Sequence, residues 1–196
     1  CARNEDRVWW RCGWPYAPTR ANAAVDTGVV ALTFKLGPKS IANMAHLHPA
    51  MAKLAHAAIA ISPIDWGFTE PLCRTLAQQK EKVRLGYSKT LKSNHLIQAD
   101  GYGHAVDCVP WINGHFTWGG TGLGWPIVID GDKIFPFAVI ANAWRTVAVQ
   151  QGVPLVWGCV WDRDLRSLPE GATNLHAAMI AYNERHPGRD FNDGPH

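Results

Sequence analysis

At 196 residues the chain has the length of one domain, or of one domain with an appendage. Hydrophobic residues make up 47% and charged residues 18%, which excludes a disordered segment and leaves enough apolar surface for a sizeable core. The formal charge is only +3, and no apolar run reaches the roughly 18 residues of a membrane span, so a soluble chain without membrane insertion is expected.

Residues 1–32 read as an irregular appendage, with Trp9, Trp10 and Trp14 scattered among Gly, Pro and charges, and the regular domain runs over 33–196. Pro49 suits a first helical position, because its missing N–H is not needed there. Met51, Leu54, Ala58 and Ile61 follow at helical spacing, which predicts an amphipathic helix ending near Ser62-Pro63. A short strand is expected over 65–69, then a helix from Arg74 to about Leu85 closed by Gly86. Residues 86–103 are rich in Gly, Ser, Lys and Asn and read as loop. His104 to Trp111 reads as a strand, and Asn113-Gly114 is a hairpin turn signal. Gly119 to Gly124, followed by Trp125-Pro126, reads as a long loop. Phe137, Ile140, Ala141, Trp144, Val147 and Ala148 mark a third helix that Gly152 stops. A buried strand over 153–161 and a helix over about 172–183 complete the order. Helices and strands mix without a strict βαβ rhythm, so the fold class is α+β.

Five cysteines, none in a Cys-x-x-Cys pair, argue against a disulfide scaffold or a cysteine zinc cluster and fit reduced thiols in a cytosol. Cys108 reads as a small core residue. Charge is concentrated between Arg74 and Lys92, where six basic residues face one acidic residue, Glu81, for +5 in nineteen positions. Such a run is a solvated helix face or an attraction to an anionic polymer. No aromatics interleave with it as in single-strand binders, so nucleic acid is not the expected partner. The cluster Gly120-Thr-Gly122-Leu-Gly124 lacks the strand-to-helix setting of a phosphate loop. No Gly-x-Ser-x-Gly elbow occurs, so nucleophilic catalysis is not supported.

The stretch from Lys92 to Asp107 carries His95, Asp100, His104 and Asp107 in a loop that enters a strand. Asp107 stands between the apolar Val106 and Cys108, where a carboxylate needs a metal or a cationic partner. The chain ends in a second pair, Asp193-Gly-Pro-His196. Imidazole and carboxylate donors together suit a catalytic zinc ion, which takes three protein ligands and leaves one position open.

Taken in order, Ser93-Asn-His95, Gly103-His-Ala105-Val-Asp107 and Asp193-Gly-Pro-His196 resemble the Ser-x-His, Gly-x-Ala-x-Asp and Asp/Glu-x-x-His motifs of zinc peptidoglycan peptidases. That group includes phage endolysins acting as L-alanyl-D-glutamate endopeptidases and related D-alanyl-D-alanine carboxypeptidases. Phe34-Lys-Leu-Gly37, Phe68-Thr-Glu70 with Arg74-Thr75 and Gln78-Gln79, Val109-Pro-Trp-Ile-Asn-Gly114 and Trp157-Gly with Trp161-Asp162 also fit, so the likeness spans about Phe34 to His196. There are three departures. His95 and Asp107 lie twelve positions apart, five more than is usual in the family, Glu70 to Arg74 carries one extra residue, and the chain stops at His196.

The resemblance implies a small α+β zinc peptidase fold of the hedgehog/DD-peptidase type, with a mainly antiparallel sheet and packed helices. It implies zinc held by His95, Asp107 and His196, with Asp193 as general base. Arg74 would bind or polarise the substrate and Ser93 would support it. The bland alternatives are a helix-surface arginine and a loop-capping hydroxyl. The implied substrate is a peptidoglycan stem peptide cut by a phage endolysin. A carboxypeptidase of the same fold and a non-catalytic wall-binding or phage structural module are the other readings. A monomer made in the host cytoplasm and released to the wall is expected, since the N-terminus lacks a signal peptide's apolar stretch.

Overall fold

The computed structural model describes residues 8–11, 33–118, 127–129 and 132–187. Strand β1 spans Val8–Arg11, followed by helices α1 (Pro38–Asn43) and α2 (Pro49–Ile61), strand β2 (Trp66–Gly67) and helix α3 (Leu76–Arg84). Strands β3 (Ala105–Asp107), β4 (Val109–Ile112), β5 (His115–Phe116), β6 (Ile127–Ile129) and β7 (Asp132–Ile134) come next. The order ends with α4 (Pro136–Gln151), β8 (Leu155–Trp157) and α5 (Ala172–Arg185).

The core forms because three helices bury their apolar faces on one another. Met51, Leu54, Ala55, Ala58 and Ile59 of α2 recur at i, i+3, i+4, i+7 and i+8 and are all buried. Pro49 sits in the first turn as expected, and His48 caps the helix by accepting the Ala50 N–H at its Nδ1. Helix α4 packs against both α2 and α5, so it is buried over most of its circumference, with Trp144 fully enclosed. Trp144 lies 5.9 Å from Trp66, which meets Phe68 edge-on at 5.7 Å. Gly152 ends α4 with φ +69°, a left-handed conformation that costs glycine nothing. The helix expected from Arg74 begins two residues later. Thr75 is its N-cap, and Gln78 completes a capping box with it.

Among the described residues, three small sheets flank this core. Strand β2 pairs antiparallel with β4 and β4 with β5, while β6 and β7 form an antiparallel pair. The third sheet is parallel, in the order β3-β1-β8. Antiparallel pairing agrees with the expected sheet type, but the parallel sheet was not foreseen. It arises because Val8–Arg11, inside the stretch read as irregular, forms a strand. Four residues flanked by Gly, Pro and charges carry too short a pattern to read in advance. Helix α1 was also unforeseen, while the turn at Asn113-Gly114 is as expected, with φ +52° and +82°. The expected loop over Gly119–Gly124 lies outside the described residues, as does the segment Asp190–His196.

Candidate active site

The site is built where three chain segments meet. The segment before α3 docks on the loop before β3: the Arg74 N–H donates to the His95 carbonyl at 2.7 Å and the Ile97 N–H to the Arg74 carbonyl at 3.4 Å. The His104 N–H donates to the Asn94 carbonyl at 2.7 Å, and Gly103 exchanges backbone bonds with His46 and His48. Gly103 is needed for close approach, since a Cβ there would lie 2.6 Å from Cys73 Sγ. Burial pushes the Cys73 thiol up from its ordinary value, which disfavours the thiolate. Cys108 is buried among apolar side chains, as expected.

His95 and Asp107 come together in the interior, at 1% and 6% exposure. The Leu72 carbonyl lies 2.7 Å from His95 Nδ1, and a carbonyl only accepts, so Nδ1 carries a proton. The other nitrogen, Nε2, lies 3.4 Å from Asp107 Oδ2 yet forms no hydrogen bond. In the neutral ring this places a nitrogen lone pair beside a carboxylate oxygen in a dry setting, an arrangement that a cation between them relieves. Two donors each about 2.0–2.2 Å from a tetrahedral zinc ion stand about 3.4 Å apart, so the spacing fits that metal. Among the described residues no set of three His, Cys, Asp or Glu is placed to hold a metal. Asp193 and His196, the remaining members of the expected set, lie outside the described residues.

Asp107 has the cationic partner its buried position requires. Arg74 Nη2 reaches Asp107 Oδ2 at 3.4 Å and Glu70 Oε1 at 3.5 Å, while Nη1 reaches Gln79 Oε1 at 3.5 Å. Arg74 is 7% exposed and precedes α3, so the helix-surface reading of it is corrected. Gln79 is fully buried and anchored by Ser88 Oγ at 2.9 Å and the Thr90 carbonyl at 2.8 Å. Glu70 is held by Lys82 at 3.0 Å. Glu70 and Lys82 were not singled out from the sequence as site residues, and Gln79 was noted only as part of a motif. Their positions twelve residues apart across a turn and a helix gave no local signal. Ser93 Oγ accepts the His95 N–H at 3.3 Å, so its hydroxyl caps the turn that presents the histidine.

The basic run is therefore partly neutralised within the chain: Arg74 faces Asp107, Lys82 faces Glu70, and Arg84 pairs with Glu81 at 2.6 Å. One planar fork touching Gln79, Glu70 and Asp107 together suits arginine, since a lysine's donors all sit on a single nitrogen and do not span the same width. Arg74→Lys is expected to lower stability by about 1–2 kcal/mol in chelator-treated protein, because buried acceptors lose their donors. Urea denaturation measures this, and an unchanged midpoint would show that the fork carries no energy.

The loop between His95 and Gly103 turns outward. The Gln98 N–H donates to the Tyr102 carbonyl at 2.8 Å and the Gly101 N–H to the Gln98 carbonyl at 3.0 Å, with Gly101 at φ +86°. Asp100 is exposed at this turn. The Tyr102 N–H first, and then the neighbouring His104 at 2.7 Å and His48, hold its carboxyl below the usual range.

The structure is a small helix-and-sheet domain with a buried histidine–carboxylate–arginine group at a polar centre. The family model described as phage L-alanyl-D-glutamate peptidase matches residues 32–178, about three quarters of the chain, and the chain belongs to that family. It is 26% identical over 134 residues to the L-alanyl-D-glutamate peptidase of Escherichia phage T5, covering 67% of this chain and 84% of that protein. The crystal structure of the Serratia marcescens L-Ala D-Glu endopeptidase ChiX superposes with a TM-score of 0.50 at 28% identity, covering 68% of this chain and 85% of that one.

Proposed function

We propose that the protein is a zinc peptidase that hydrolyses the L-alanyl-D-glutamate bond of peptidoglycan stem peptides, acting as a phage endolysin on the bacterial wall. The observation that carries this reading is the buried His95–Asp107 pair, two donor atoms 3.4 Å apart, within the stretch that matches the family. Both named relatives are L-Ala-D-Glu peptidases, which supports the choice of bond. The hedgehog/DD-peptidase type of fold belongs to the same proposal.

His95, Asp107 and His196 would hold the metal. The chemistry a bound zinc ion supplies is Lewis acidity, toward a water and toward the scissile carbonyl. Asp193 would take the proton of the attacking water and return it to the leaving amine, three positions before His196. Arg74 holds Asp107 in orientation, and through that carboxylate it would act on the substrate indirectly. The Leu72 carbonyl fixes the tautomer of His95, the usual service of a carbonyl behind a ligating imidazole.

Digestion of purified peptidoglycan, with mass spectrometry of the products, tests the bond. New amino-terminal D-glutamate or D-isoglutamine is expected, and release of free D-alanine would instead identify a carboxypeptidase. A chelator should abolish the digestion and lower the melting temperature, since a ligand held only by the folded state stabilises it. Wall cleavage by metal-free protein would refute the zinc assignment.

A further inference from the structure

The hairpin that follows β3 displays an aromatic side chain with unusual support. Trp111 is 41% exposed. A lone exposed apolar residue needs no explanation, but this one is braced on several sides. Its backbone N–H donates to the Asp65 carbonyl at 2.8 Å, which fixes the strand that carries it. Its ring meets that of the cross-strand partner Phe116 edge-on at 4.8 Å. Phe116 is seated in turn against the backbone of β2, where a Cβ on Gly67 would lie 3.1 Å from Phe116 Cζ. The turn at Asn113-Gly114 closes the hairpin with both residues at positive φ, which fixes the register of the pair. A flat indole is thus held out to solvent by a rigid mount.

Its position relative to Asp107 gives this surface a meaning. Trp111 lies four positions after Asp107, so at about 3.3 Å per residue of strand their Cα atoms lie within about 13 Å. In peptidoglycan the stem peptide joins the lactyl group of N-acetylmuramic acid through its L-alanine. The sugar therefore begins one residue before the L-alanyl-D-glutamate bond, and its ring lies within about 10 Å of the scissile carbonyl. A substrate bound at the His95–Asp107 centre must carry its hexosamine into the neighbourhood of that centre. The apolar C–H face of a pyranose ring complements the negative face of an indole.

We propose that Trp111, braced by Phe116, is a sugar subsite that stacks on a hexosamine ring of the glycan strand to which the stem peptide is attached. The proposal rests on the bond assignment given above. It makes the enzyme selective for stems still linked to glycan over free peptides.

The test compares kcat/KM for a disaccharide-linked stem peptide with kcat/KM for the same peptide freed of sugar, in wild type, Trp111→Ala and Trp111→Phe. The ratio of linked to free should exceed one in wild type, fall roughly tenfold in Trp111→Ala, the scale of one stacking contact, and recover in Trp111→Phe. Because the ratio is taken within one variant, partial loss of folded protein cancels. An unchanged ratio in Trp111→Ala, or equal losses on both substrates, overturns the proposal. Calorimetric titration with the peptide-free disaccharide separates this idea from the one it rests on. If wild type cleaves neither substrate yet binds the disaccharide in a Trp111-dependent way, the subsite stands and the bond assignment fails. If it cleaves neither and Trp111→Ala binds the disaccharide as wild type does, the subsite is refuted.

Discussion

Replacing His95 by alanine is expected to abolish metal binding and wall digestion together, whereas Asp100→Ala is expected to leave both in place. The contrast matters because the usual family spacing, counted back seven from Asp107, lands on Asp100 rather than on a histidine. Two arguments favour His95. Loop closure entropy grows slowly with length, so five added residues cost little. An Asp/Asp/His set would also suit a harder, oxygen-preferring cation better than zinc. In the fold, His95 is enclosed with Nε2 beside Asp107, while Asp100 is exposed at an outward turn and engaged by Tyr102 and His104. Metal content after dialysis, measured beside activity, decides the matter. Zinc retained by His95→Ala and lost from Asp100→Ala would reverse the ligand assignment.

Asp193→Asn should keep the metal and lose most of the turnover. An amide occupies nearly the same volume as the carboxylate but has no basicity, and removing a general base costs about 10²–10⁴-fold in rate. The separation of readouts is the point of the experiment. A metal ligand would lose zinc on substitution, and a merely structural aspartate would lose neither zinc nor rate. Normal metal content with turnover reduced at saturating substrate is the expected result. An Asp193→Asn protein as active as wild type would transfer the role to another carboxylate, and Glu70, held by Lys82 beside Arg74, is the first to examine.

Zinc is expected to act on the stability of the site as well as on its chemistry. Asp107 Oδ2 has Arg74 Nη2 and His95 Nε2 each at 3.4 Å, and the imidazole nitrogen makes no hydrogen bond. A cation between His95 and Asp107 would give both donors a partner while leaving the Arg74 contact intact. This is the physical basis for the melting-temperature shift expected with chelator.

Much of the fold was legible in the residues because long periodic segments speak for themselves. Met51 to Ile59 and Phe137 to Ala148 each repeat a buried apolar face over more than two turns, while Ile61, expected on the first of these faces, is exposed at the helix end. Gly86, Gly152 and Asn113-Gly114 mark ends and turns because their positive φ values suit few other residues. Elements of two to six residues carried no such pattern, which is why Val8–Arg11 and Pro38–Asn43 went unforeseen.

Of the candidate site, the sequence alone determined the residue types and their order: the motifs at Ser93–His95 and Gly103–Asp107, a buried aspartate in need of a cation, and the chemistry that imidazole and carboxylate donors share. It could not determine who meets whom. That Arg74 leaves the helix surface and turns inward to Asp107, that Gln79 and Glu70 hold its other donors, and that Nδ1 of His95 is committed to the Leu72 carbonyl were decided only by tertiary structure. The reason is physical. The Arg74 and Asp107 side chains meet across 33 positions and the His95 ring meets the Leu72 carbonyl across 23, and no local propensity encodes those contacts. Periodicity reports which face of an element is buried, whereas the partner across that face is chosen by packing of the whole chain.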